Sequence, residues 1–139
     1  MRKELCWINS IVMKLRLDKN SLRLRVKKSD LETLCEKSTI SESIGFPGGS
    51  FNYSLSISDI ETEVMANMKG SSLEVMIPSH TASVWINSDE TGIYHSIHFD
   101  NEHSLNITIE KDFPCKERPE EDTSDTFVEL AEKNKDGHC

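Results

Sequence analysis

The sequence predicts an α+β protein made of two ββαββ halves in a pseudo-two-fold arrangement. Its strands would form a mostly antiparallel sheet, or a partly closed barrel, against two short packed helices. Two observations predict this. The chain resembles itself: a shift of 51 residues lays Ser21-Leu22 on Ser72-Leu73, Leu24 on Val75, Val26 on Ile77 and Leu34 on Trp85, and a shift of 54 lays Phe51 to Leu55 on Leu105 to Ile109. In each half, too, the apolar period changes from two to about 3.6 and back again.

The elements follow in order. Lys14-Leu15-Arg16-Leu17 and Leu22-Arg23-Leu24-Arg25-Val26-Lys27 alternate apolar and basic residues around the turn-prone Asp18-Lys19-Asn20, which predicts a hairpin with one buried face. Ser29 or Asp30 would cap a helix whose apolar face carries Leu31, Leu34 and Cys35, with Cys35 as a core thiol. Thr39 to Phe46 and Phe51 to Ile57 read as strands joined through Pro47-Gly48-Gly49.

The second half repeats the order. Val64, Ala66 and Met68 alternate with polar neighbours, Lys69-Gly70-Ser71 turns the chain, and Leu73, Val75 and Ile77 return. Pro78 ends that strand, Ser79 caps a helix through Ala82, Trp85 and Ile86, and Ile93 to Phe99 with Ser104 to Glu110 form the last strand pair. Leu34 and Trp85 are the predicted core anchors of the two helices.

The domain plan is therefore an extension over 1–12, one domain over 13–110 made of units 14–57 and 65–110, and an acidic tail over 111–139 with a short helix through Phe127, Val128, Leu130 and Ala131. Residues 1–12 read as translated from a start upstream of Met13. The alternative is an added edge strand through Trp7, Ile8, Ile11 and Val12.

Composition narrows the function classes. With 24 acidic against 16 basic side chains the net charge is −8, which argues against nucleic acid as a partner. No apolar run approaches the roughly 18 residues a membrane helix needs, so no membrane partner is expected. The four cysteines, at 6, 35, 115 and 139, show no C-x-x-C spacing and fit a reduced, cytoplasmic protein. Charge is uneven along the chain. Residues 13–57 hold eight basic and five acidic residues (+3), while 58–139 hold six and eighteen (−12), so one end attracts the other.

Three stretches carry a family likeness: MKLRL followed by NSLRLRV, the mid-chain IPSHTASVW, and EKDFPC followed by EEDTSDTF. Together, from Met13 to about Phe127, they resemble a family of small bacterial proteins defined only as a domain of unknown function. Its most specific part is Glu110-Lys111-Asp112-Phe113-Pro114-Cys115 with Glu121-Asp122-Thr123-Ser124-Asp125 after it. Where the family tends to continue Phe-Pro-Asn-Pro, this chain has Phe127-Val128-Glu129-Leu130. The resemblance implies no activity.

Enzyme signatures are largely missing. GFPGGS lacks the Lys-Ser/Thr ending of a phosphate loop and reads as a turn, and no G-x-S-x-G or H-E-x-x-H occurs. His95, His98 and His103 cluster in sequence, but on a strand 95 and 98 point to opposite faces, so a surface role is expected. Cys115, His138 and Cys139 make a better metal set, since thiolate and imidazole suit zinc or a similar ion. The stronger site candidate is the basic face of the first hairpin, with Arg16, Arg23, Arg25 and Lys27 as ligand-binding residues alongside Lys14. Carboxylates from Glu74, or from Glu121, Asp122 and Asp125 of the tail, are the expected internal partners of Arg23 and Arg25. Two function classes follow: a non-catalytic binding or accessory module that takes an anionic ligand or an acidic protein segment, or a metal-binding protein or metal-dependent enzyme that uses Cys115 and the tail.

Overall fold

Strands form where apolar residues alternate. The computed structural model describes residues 13–113 and 124–133. The first half contains β1 (Lys14–Asp18), β2 (Ser21–Val26), α1 (Lys28–Lys37), β3 (Thr39–Phe46) and β4 (Gly49–Ser58). The second contains β5 (Met65–Lys69), β6 (Ser72–Pro78), α2 (Ser79–Ile86), β7 (Gly92–His98) and β8 (Ser104–Lys111), followed by α3 (Val128–Lys133). The extension over 1–12 and its alternative edge strand lie outside the described residues.

The strands make two four-stranded sheets, and neither closes into a barrel. Sheet A runs β1-β2-β8-β7 and sheet B runs β3-β4-β6-β5. Pairing is antiparallel within each hairpin, but β2 runs parallel to β8 and β4 parallel to β6. Each sheet therefore takes one hairpin from each half of the chain. Exchanging the halves maps β1-β2-β8-β7 onto β5-β6-β4-β3, so the two-half arrangement fits the pairing. The hairpin turns match as well: Lys19 (φ 54°) and Gly70 (φ 61°) hold the same left-handed position.

Burial follows the alternation. Leu22, Leu24 and Val26 of β2, Ile107 and Ile109 of β8, Leu55 of β4, and Val75 and Ile77 of β6 are all at most 1% exposed, and they join Leu31, Leu34, Ala82 and Trp85 in one core. The central strands supply most of it, because both of their backbone edges are paired and the flanking hairpin strands shield their ends. Met13 is fully buried ahead of β1; its carbonyl accepts the Tyr53 hydroxyl at 2.6 Å.

Helix α1 is rolled differently from its predicted stripe. Leu34 and Leu31 face the core, Asp30 on one flank is buried, and Cys35 on the other flank is exposed. Asp30, Leu34 and Leu31 span about 100° of the helix circumference with Leu34 inside that arc, and Cys35, about 100° from Leu34, falls beyond it in solvent. The helix also starts one residue before its predicted cap. Asp30 accepts the Lys27 N–H at 3.0 Å, and Asp125, from beyond the last strand, takes the Ser29 hydroxyl at 2.6 Å and the Ser29 N–H at 3.2 Å. Burial, and then the neighbouring Asp125, push the Asp30 carboxyl above its ordinary range.

The C-terminal segment docks through backbone bonds. Asp112 N–H donates to Val26 O at 2.7 Å, Phe127 N–H to Asp112 O at 2.8 Å, and Lys28 N–H to Asp125 O at 3.2 Å. Leu130 is 3% exposed, and no helix among the described residues is long and apolar enough to cross a membrane.

Candidate site on the outer face of sheet A

Strand alternation decides which side chains leave the core. In sheet A the register sets Lys14, Arg25, Glu110 and Gly92 in one row, Arg16, Arg23, Thr108 and Tyr94 in the next, and Asp18, Ser21, Asn106 and Ser96 in the third. Residues two apart on a strand share a face, so these rows form the outer surface opposite Leu24 and Ile109.

The first row is an ion-pair network at the rim of the core. Arg25 Nε lies 3.2 Å from Glu110 Oε1, and Arg25 Nη1 lies 3.5 Å from Asp112 Oδ1. These side chains are 12%, 12% and 4% exposed in the order Arg25, Glu110, Asp112. Lys14 Nζ reaches Asp112 Oδ2 at 3.2 Å from a half-exposed position, and Arg23 Nε stands 3.7 Å from the same Glu110 oxygen that holds Arg25. The Phe113 ring lies 4.8 Å from the Arg25 guanidinium carbon and covers it.

Gly92 opens the other side of Glu110. A Cβ at Gly92 would stand 2.9 Å from Glu110 Cγ and 3.0 Å from Tyr94 Oη. Without one, the Tyr94 hydroxyl reaches Glu110 Oε2 at 3.4 Å. Burial of that end of the phenol, and then the Glu110 carboxylate, push its proton affinity up.

Of the sequence candidates, Arg16, Arg23 and Arg25 share this face. Lys27 lies past the end of β2 as the residue before α1, with its backbone held by Asp30 and its charge favouring the Asp30 carboxylate. Arg16 makes no ion pair among the described residues. Two of the expected partners are engaged elsewhere: Glu74 pairs with Lys69 at 3.7 Å, and Asp125 caps α1, while Glu110 and Asp112 hold Arg25 and Glu110 also faces Arg23. Glu121 and Asp122 lie outside the described residues, as do Cys115, His138 and Cys139 of the expected metal set. Among the described residues no group of three or more His, Cys, Asp or Glu could hold a metal ion. His95 meets Glu63 at 3.3 Å and His103 meets Asp100 at 2.8 Å, each a local surface pair. Leu34 and Trp85 are both buried, Trp85 donating from Nε1 to Thr91 O at 3.2 Å.

Glu110, Asp112, Tyr94 and Gly92 are not among the site residues expected from the sequence, although Glu110 and Asp112 stand in the block that carries the family likeness. Glu110 closes the predicted last strand and Asp112 falls in the predicted irregular tail; only the parallel β2–β8 register, across 85 residues for Arg25 and Glu110, brings them to the arginines.

A model of a family of unknown function, DUF7009, matches residues 13–130. The chain belongs to that family. No curated protein and no solved structure matches it. The DUF7009 match takes in both sheets, the whole arginine face and the segment around Asp125.

Proposed function

We propose that this DUF7009 protein is a non-catalytic binding module that takes an acidic, extended segment of a partner protein across the outer face of sheet A, anchored by Arg16 and Arg23. One observation carries the reading. Arg16 and Arg23 are direct cross-strand partners, and Arg16 has no carboxylate partner among the described residues. Like charges directly opposite each other are destabilising, and a carboxylate seated between them removes that repulsion. In the first two rows and the adjoining Asp112, four cations face two carboxylates, which leaves a surplus of +2 in a protein of net charge −8.

An extended acidic chain suits this layout better than a small anion does. Lys14 and Arg16 are spaced along one strand and Arg23 lies on the next, so the charges spread over a surface and do not converge on a point. Guanidinium forks take carboxylates in bidentate geometry, and the half-exposed pairs they would replace are worth only ~0–1 kcal/mol each. Tyr94 and Thr108 extend the Arg16–Arg23 row with hydroxyls.

The test is fluorescence anisotropy with a labelled hexaglutamate peptide at low and at physiological salt. Binding that weakens with salt, and by about tenfold or more in R16Q/R23Q, supports the reading. Equal competition by inorganic pyrophosphate would point to a small anion. Binding by a hexaglutamine control, or none by hexaglutamate, would refute it.

A further inference from the structure

We infer that the arginine face and the docked C-terminal segment, residues 124–130, are coupled through Asp112, so that an acidic segment seated on the face loosens the dock. This rests on the binding role proposed above and concerns its regulation.

Asp112 belongs to both places. Its side chain is one of the counter-ions of the face, held by Lys14 at 3.2 Å and Arg25 at 3.5 Å. Its main chain is the cradle of the dock: the carbonyl accepts Phe127 N–H at 2.8 Å, and the N–H donates to Val26 O at 2.7 Å. From Phe127 the docked chain leads back to Asp125, which caps α1 through the Ser29 N–H and hydroxyl.

An acidic segment that follows β1 from Arg16 meets Lys14 two residues away and competes with Asp112 for it. Asp112 is 3% exposed and lies in the electrostatic reach of Asp30, which Asp125 also presses. Losing Lys14 leaves Asp112 with Arg25, 3.5 Å away, as its remaining counter-ion among the described residues, while Asp30 still opposes it. Moving Asp112 outward relieves that charge, and its carbonyl moves with it, away from Phe127. Binding and docking are therefore antagonistic, and linkage makes the effect reciprocal: whatever undocks the segment strengthens binding by the same factor.

Amide exchange on the full chain reads the dock directly, since Phe127 donates to Asp112 O, Lys28 to Asp125 O and Ser29 to the Asp125 carboxylate. Saturating hexaglutamate should lower protection at these three amides by about fivefold or more, with Leu55 in sheet B unchanged. Leu130→Ala removes a buried anchor of the dock without altering any charge, and it should raise hexaglutamate affinity by a comparable factor. If hexaglutamate binds through Arg16 and Arg23 while Phe127 protection and the Leu130→Ala affinity stay at their reference values, the coupling is wrong and the binding role stands. If hexaglutamate does not bind, both fall.

Discussion

Replacing Arg25 by Met should be among the most damaging single changes on this surface, and a second change should undo most of the damage. At 12% exposure, Arg25 is the main counter-ion of a Glu110 equally buried and, among the described residues, one of two held by Asp112 at 4% exposure. Removing one member of a buried pair costs ~3–5 kcal/mol, because a desolvated charge is left behind. Arg23 and Lys14 remain at 3.7 and 3.2 Å, which places the expected loss near the lower end, about 3 kcal/mol. The chain itself suggests the compensation. At the matching point of sheet B, Met76 stands opposite Ser56 where sheet A has Arg25 opposite Glu110. Arg25→Met with Glu110→Ser copies that apolar solution, leaves Asp112 to Lys14, and should lie within about 1.5 kcal/mol of the parent protein. Urea unfolding at equilibrium, with an unchanged slope, reads the difference. A single-variant loss below about 1 kcal/mol would show that the network behaves as surface electrostatics, and a double variant worse than the single would refute the stranded-charge argument.

Three further outcomes are expected. Leu34→Ala and Trp85→Ala should each cost ~2–5 kcal/mol through lost packing and a residual cavity, and a Trp85 emission spectrum typical of solvated indole in the folded protein would contradict its burial. Asp30→Asn should change the pH profile: a carboxyl whose folded pKa is raised stabilises the fold while protonated and loses that contribution as pH rises through the folded pKa. The variant's melting temperature should thus gain on the parent's as pH rises from the ordinary aspartate value of 3.8 towards neutrality, and parallel curves would count against the burial effect. A chain begun at Met13 should keep its thermal midpoint, whereas one begun at Arg16 should lose several degrees, because Met13 is buried and its carbonyl holds Tyr53. A drop on removing residues 1–12 alone would place Trp7 or Ile8 in the core.

The elements were legible because their signals are local. Leu22, Leu24 and Val26 alternate with arginines, and the strand they predict runs from Ser21 to Val26 with every second residue buried. The ββαββ order was readable twice over for the same reason. What the sequence could not show was which hairpins meet. The parallel β2–β8 and β4–β6 contacts join residues from different halves, and periodicity says nothing about partners so distant. The arginine face is legible from Arg16, Arg23 and Arg25, but of its expected counter-ions Glu74 and Asp125 are engaged elsewhere, and the Glu110 and Asp112 found there acquire their meaning only from that register. Cys35 is misplaced by a smaller margin: the helical stripe is right for Leu31 and Leu34, but the buried arc extends to Asp30 and stops short of the thiol.

Because sheet A is assembled from the first and last hairpins, its closure has to wait for almost the entire chain. During synthesis β3 to β6 emerge together and are able to complete sheet B, while β2 holds Leu22 and Leu24 on an open edge until β8 arrives. Pairings this distant in sequence close slowly, since a long loop must be ordered before any contact rewards it. A ribosome stalled before Ser104 would carry a half-finished molecule with an adhesive strand edge, a natural substrate for chaperones. The same topology makes the protein a candidate for splitting: a cut between Glu61 and Val64 would give two fragments, each unable to complete either sheet alone and each supplying the hairpins the other lacks.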